Sequence, residues 1–221
     1  AGDDFTIGSI KIYKKSYSQL FDLRTVEFNC YEESNVSPDK SKPGLLKAPV
    51  PCRISITKKN GERAKAHFIN NTKFPTRDGV VYTNLKGYAK ITLEKGSYIV
   101  TASRGAEYSI DQASIDLTKD KNAKQTFHIK REVDTTGWLS ADTHIHTLTH
   151  SGHGDANMDE RILTLAGDHT EIAISTDHDK QIDYQPTMDK HGVSHEYINI
   201  IGNEVSTPIG HFNAFPLRAN G

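Results

Sequence analysis

Cysteine is nearly absent from this chain: Cys30 and Cys52 are the only two, and neither lies near the histidine-rich part of the sequence. That sets cysteine aside as a metal ligand. In an exported protein the two could pair across neighbouring strands, and two buried free thiols fit the sequence equally well. A long apolar run is also lacking, which excludes a membrane-spanning helix. Neither sign of charge is in excess, with 27 Lys and Arg against 28 Asp and Glu. No global field therefore favours nucleic acid or anionic lipid as a partner, and there is no basic groove interleaved with aromatics. Tryptophan occurs once, at Trp138, and its bulk predicts a core position where two folded units meet. No initiator Met precedes Ala1-Gly2-Asp3-Asp4. Such a start resembles the product of signal-peptide cleavage, or a cloning remnant. The first of these predicts a secreted or periplasmic protein.

What is present falls into two halves. From Phe5 to Arg131 the pattern is β. Ser9 to Lys14, Arg53 to Lys58 and Ala89 to Glu94 alternate apolar and polar residues, so one face packs on a core and the other meets water. Turn signals at Asn60-Gly61, Asp78-Gly79 and Lys95-Gly96 punctuate these runs. Short strands at this spacing predict an antiparallel β-sandwich over residues 1–133. Residues 34–51, rich in Ser, Pro and Lys, read as a loop. Lysines 11, 14 and 15, and those from Lys119 to Lys124, fit solvated strand edges and turns. Asn35-Val36-Ser37 and Asn70-Asn71-Thr72 match the glycosylation pattern. The order from Gly87 to Ala102 is a strand, a tight glycine turn and the strand containing Gly96-Ser97-Tyr98-Ile99-Val100. It resembles the carboxypeptidase-regulatory-like sandwich, which implies an accessory module. Arg104 and Glu107, just beyond, read most simply as a surface pair; a loop leaning over the neighbouring face is the alternative.

Beyond Gly137 the period changes. Asn157 followed by Glu160 has the form of a capping box, and Ile162, Leu165 and Ala166 recur at helical spacing up to Asp168-His169. Glu171 to Thr176 reads as a buried strand with Asp177-His178 at its tip. Tyr197 to Ile201 is another, ending in Gly202-Asn203-Glu204, and His211 opens a last run to Leu217. Strand, helix, strand with polar groups at the carboxyl tips predicts a parallel α/β sheet or barrel over residues 134–221.

The histidines concentrate here. His144 and His146 sit at i and i+2 on an extended segment and so point to one side. One metal ion could be gripped by both rings. With His178, Glu204 and His211 they supply candidate ligands from four strand tips. Mixed imidazole and carboxylate donors suit Zn, Mn or Fe and serve Ca or Mg poorly. More than four ligands imply more than one ion, with Glu204 suited to bridge. Asp142 and Asp177 read as groups that fix the tautomer of a ligand imidazole. His150, His153, His169, His191 and His195 read as surface residues, one of them available as a substrate-facing acid.

Trp138 to Thr147, Ser175 to Asp179, Gly202 to Thr207 and Gly210 to Asn213, taken in order, resemble the PHP superfamily of metal-dependent hydrolases. The nearest match is its CehA/McbA-like branch. That resemblance implies a multidomain β plus α/β architecture. An N-terminal antiparallel β-sandwich, residues 1–133, is followed by the first part of a PHP-type (β/α) barrel, residues 134–221. It implies two or three divalent ions, Zn, Mn or Fe, held by His144, His146, Asp155, His178, Glu204 and His211. Asp155 takes the place of a ligand that the family carries shortly after the first histidine pair, and His153 is the alternative. Asp177 and His153 are the catalytic candidates, the first orienting a ligand imidazole and the second facing substrate. A metal-activated water would then attack a phosphoester, ester or carbamate bond of a small-molecule substrate. The family's late ligands have no counterpart after His211. The expectation is therefore a piece of a longer protein, or a chain whose remaining barrel comes from elsewhere. A reading from another class is a non-catalytic carbohydrate- or protein-binding module with a partial metal site. A nucleic-acid phosphatase role is disfavoured by the neutral charge balance.

Overall fold

The computed structural model describes residues 20–34, 46–67 and 74–219. The expectations for a strand at 9–14, for lysines 11, 14 and 15 and for both glycosylation triplets lie outside the described residues.

Nine strands fill the first part of the described chain: β1 (Leu23–Ser34), β2 (Leu46–Pro49), β3 (Arg53–Lys58), β4 (Thr76–Arg77), β5 (Val80–Tyr82), β6 (Tyr88–Glu94), β7 (Ser97–Ser103), β8 (Asp111–Asp116) and β9 (Asn122–Ile129). They form two sheets. In one, β2 and β6 pair with successive stretches of β1, and β9 also pairs with β1; in the other the order is β4-β5-β3-β7-β8. Alternation along the strands decides what is buried. Val26, Phe28 and Cys30 on β1, with Phe127 and Ile129 beside them on β9, face Ile54 and Ile56 on β3 and Val100 and Ala102 on β7 in one core. Each large side chain so enclosed contributes about 1.5–3 kcal/mol relative to exposure.

Two details depart from the sequence reading. The sandwich is not wholly antiparallel, because β9 runs parallel to β1 from Thr25↔Asn122 to Glu32↔Ile129. Strand β2 lies within the stretch expected to be loop, paired with the end of β1. The alternative left open for the cysteines is decided: Cys30 and Cys52 form a disulfide with Cα atoms 6.5 Å apart, joining the two sheets.

The second part contains β10 (Ala141–Ile145), α1 (Leu148–Ser151), α2 (Met158–Gly167), β11 (Ile172–Ser175), α3 (Gln185–His191), β12 (Ile198–Ile201), β13 (Asn203–Thr207) and β14 (Gly210–Ala214). Strands β10, β11 and β12 form a parallel sheet in that order. Asn157 caps α2 with a reciprocal bond to Glu160, which satisfies two otherwise orphaned donors. Ile162, Leu165 and Ala166 of α2 then bury against Tyr184, Met188, Val193 and Tyr197.

The expected (β/α) barrel is not formed among the described residues. A parallel strand needs a crossover of a dozen or more residues before the next one. Here β12 runs into β13 with only Gly202 between, and β13 folds back on β14 as an antiparallel hairpin. The molecule is predominantly β, and the fold expectation is corrected accordingly.

The two parts are joined by polar contacts, of which the sequence reading considered only the Arg104 loop. Arg104, expected at the surface, is buried and donates to Pro51 O (2.6 Å), Ala166 O (2.8 Å) and Glu196 (2.9 Å). Glu107 pairs with Arg131 instead. Arg77 forks onto both carboxylate oxygens of Glu160 at 3.0 and 2.9 Å, and the Tyr82 hydroxyl donates to Asp168 at 2.8 Å. Trp138, expected in the core, is 80% exposed; it precedes β10 on a segment that packs on neither cluster.

Candidate metal centre

The pairing register of β10 on β11 shifts between Asp142 and Ile145, and Thr176 closes the gap with its hydroxyl bonded to Ile145 N at 2.8 Å. This irregular strand end carries His144 and His146. A residue pair beyond β11, His178↔Glu204, forms an isolated parallel bridge that brings β13 alongside. Within the hairpin, His211 lies opposite Ser206, and Glu204 lies opposite Asn213. Glu204 and His211 are thus diagonal neighbours on one face, within reach of each other.

The side chains converge. Glu204 Oε2 is 3.1 Å from His144 Nε2, 2.8 Å from His146 Nε2 and 3.4 Å from His178 Nε2. Its other oxygen is 3.1 Å from His211 Nδ1. His144 and His146 bring their Nε2 atoms within 2.8 Å of each other. Donors around a tetrahedral ion with bonds of 2.0–2.1 Å lie roughly 3.3 Å apart. The observed separations bracket that value, so the donor set fits a small divalent ion. Three overlapping groups have every donor atom within 4.8 Å: His144, His146 and Glu204; His178, Glu204 and His211; His146, His153 and His178.

The far nitrogens of two rings are held by hydroxyls. Ser151 Oγ lies 3.1 Å from His146 Nδ1 and Ser206 Oγ lies 3.3 Å from His178 Nδ1. A partner on Nδ1 favours presentation of the free Nε2 to the centre. Neither serine was singled out in the sequence. Ser206 was legible in principle, because i+2 from Glu204 on a strand is the same face; Ser151, on α1, carried no such signal.

The electrostatics favour the ion-ready forms. Burial pushes the His146 imidazole below its ordinary pKa and the neighbouring imidazoles add to this, against an opposing pull from Glu204. Burial alone would raise the Glu204 carboxyl, but the hydrogen bond with His144 and the charges of His178, His144 and His146 hold it below the usual range. A neutral ring and an ionised carboxylate are the states that bind metal.

Of the residues singled out in the sequence, His144, His146, His178, Glu204 and His211 come together. His153 joins them, its ring centroid 4.9 Å from those of His146 and His178. Asp155 does not: its side chain is exposed and its charged neighbour is Arg161 at 3.7 Å. Asp177 is fully buried and accepts from Thr147 N (2.7 Å), Thr147 Oγ1 (2.9 Å), Ser151 Oγ (2.6 Å) and Tyr184 OH (3.0 Å). It therefore reaches His146 only at one remove, through Ser151. Among the other histidines, His169 is not at the surface but packs at the junction beside Arg104, and His191 pairs with Asp159.

No family model and no curated protein matches the chain. Among solved structures it is similar to GBS52, the minor pilin of Streptococcus agalactiae, at 18% identity over 51% of this chain and 46% of that one, with a TM-score of 0.36. It is also similar to the pilus-presented adhesin Spy0125 (Cpa), at 12% identity over 49% and 26% of the two chains, TM-score 0.25. A point variant of that adhesin gives 14% identity over the same shares, TM-score 0.27. The chain spans less than half the length of each. The expected membership of the PHP superfamily, and with it the hydrolase and phosphoesterase assignments, is corrected. No family model supports it, and the parallel sheet that would begin a barrel ends in an antiparallel hairpin among the described residues. No helix among the described residues is long and apolar enough to cross a membrane.

Proposed function

We propose that this chain is a non-catalytic binding module of an extracellular protein. It holds a divalent transition-metal ion between His144, His146, His178, Glu204 and His211 on one face of the β13–β14 hairpin and meets a protein partner with the other. The observation that carries the reading is the convergence of four imidazole nitrogens on the two oxygens of one buried carboxylate, at 2.8–3.4 Å. Two supports are independent of it. The Cys30–Cys52 disulfide suits an oxidising compartment. On the face of the hairpin opposite Glu204, Val205 pairs with Phe212, and both are exposed together with Ile209 at the turn. Exposed apolar groups clustered in this way mark contact surfaces for proteins.

Calorimetric titration of the chelator-treated chain with Zn²⁺ tests the metal site. Saturable uptake is expected, weakened at least tenfold in His178→Ala and in Glu204→Gln. Uptake no tighter than that of a triple His144→Ala, His146→Ala, His178→Ala variant would overturn the reading.

A further inference from the structure

Ser151, the last residue of α1, stands where three hydrogen bonds meet. Its hydroxyl oxygen lies 2.6 Å from Asp177 Oδ1, 3.1 Å from His146 Nδ1 and 3.3 Å from the backbone N of His178. A serine has one proton to give and two lone pairs to receive with. Where that proton goes decides which nitrogen of a neutral His146 carries its own.

The carboxylate of Asp177 takes it. Oδ1 is buried and also receives the Thr147 N–H at 2.7 Å, a group that can only donate. The Thr147 hydroxyl accepts from His150 N, so its proton likewise points at Oδ1, 2.9 Å away. With those lone pairs engaged, a 2.6 Å contact lacking the serine proton would set two desolvated oxygens against each other. Ser151 therefore donates to Asp177. Its own lone pairs receive the His178 N–H and, from His146, an Nδ1–H.

The other end of the ring pulls the opposite way. His146 Nε2 lies 2.8 Å from Glu204 Oε2, which would draw the proton to that nitrogen. Glu204 has other donors, however: His144 Nε2 at 3.1 Å on the same oxygen and His211 Nδ1 at 3.1 Å on the second. Ser151 has no such substitute for its contact with Asp177. Ser206, 3.3 Å from His178 Nδ1, makes a weaker counterpart, because it and its partner Asp179 are both exposed to water.

We propose that Asp177 and Ser151 are positioning residues that fix neutral His146 in its Nδ1–H form and so turn a bare Nε2 toward Glu204 and His144 before any ion arrives. The use of this arrangement rests on the proposed metal site; the position of the proton does not.

The test reads the ring directly, by long-range nitrogen–proton correlation spectra of the chelator-treated full chain at about pH 8, where histidine is neutral. His146 should carry its proton on Nδ1. In Ser151→Ala the proton should move to Nε2, and Zn²⁺ affinity should fall at least tenfold. Ser206→Ala should leave the His146 proton where it is. A proton on Nε2 of His146 in the parent chain would overturn the proposal, and that spectrum decides even where the variant does not fold. An unmoved proton in a folded Ser151→Ala would overturn the relay, even with weakened Zn²⁺ uptake, since a merely structural role predicts that result. A moved proton with unchanged Zn²⁺ affinity would overturn the positioning role. A parent chain with the proton on Nδ1 that takes up no Zn²⁺ would strike at the metal reading and leave the relay standing.

Discussion

His169 shows how a single side chain can couple pH to the integrity of the junction. Its ring stands edge-on to Tyr108 with centroids 5.2 Å apart, and its Nδ1 lies 3.4 Å from an Arg104 guanidinium nitrogen. Burial, followed by that cation, pushes its pKa below the ordinary histidine value. The unfolded chain takes up a proton at the ordinary value, where the folded chain still refuses it. Stability is therefore full above that value and declines as pH falls through it toward the lowered one. Urea midpoints measured at about pH 7.5 and about pH 5.5 should fall on acidification. The fall should be smaller in His169→Asn, because asparagine tolerates the positive φ of 53° at this position. Some slope should persist, since His146 is depressed with the same sign. An identical slope in the variant would remove His169 from the account. At this scale the sequence was informative where a period or motif repeated. His144, His146, His178 and Glu204 sat at strand tips and did converge. It was misleading for isolated residues: nothing local says that Arg104 and His169 are enclosed by the other half of the molecule, or that Trp138 is left in water.

Among the elements, α2 was the most legible and shows where local preference ends. Its capping box and its Ile162, Leu165, Ala166 stripe are fixed within a few residues, and they stand as read. Its last residue, Gly167, is explained only by the tertiary structure. Helix propensity alone would favour alanine there by about 1 kcal/mol. A Cβ at Gly167 would come within 2.5 Å of the Tyr82 ring, closer than real contacts allow, and Tyr82 is tethered to Asp168. Gly167→Ala should thus destabilise by about 1–3 kcal/mol, as overpacking does, despite its gain in propensity. Chemical denaturation decides the sign; a stabilised variant would mean that the ring yields freely. Strand direction was the least legible property. Nothing in the alternation of Asn122 to Ile129 distinguishes pairing parallel to β1 from pairing antiparallel to it. Likewise the run after Gly202 read as another parallel strand tip, whereas its turn at Thr207 to Gly210 makes a hairpin.

For the whole molecule, the decisive constraint is the covalent tie between the sheets. Cys30 lies on β1 and Cys52 immediately precedes β3, and both are fully buried. A cross-link of this kind contributes about 2–4 kcal/mol, chiefly by restricting the unfolded chain. Reduction under native conditions, or a Cys30→Ala, Cys52→Ala pair, should lower the thermal midpoint by several degrees, about 2–4 °C per kcal/mol for a chain of this size. No shift on reduction would mean that the pair is not bonded in solution. The overall architecture was half legible for a physical reason. Alternation and turn residues report the sandwich within short windows. Barrel closure depends on the connection leaving each strand, and a motif at a strand tip carries no information about that.

Glu204 has a bearing on what kind of surface could dock here. It is the one carboxylate in the three donor groups found among the described residues, and the rest are imidazoles. Asp179, its carboxylate in the field of His178 and His211, adds a second negative charge beside them. Two anions against a dication leave the pole at the tips of β10, β11 and β13 close to neutral, so a contact there should change little as ionic strength shortens the Debye length.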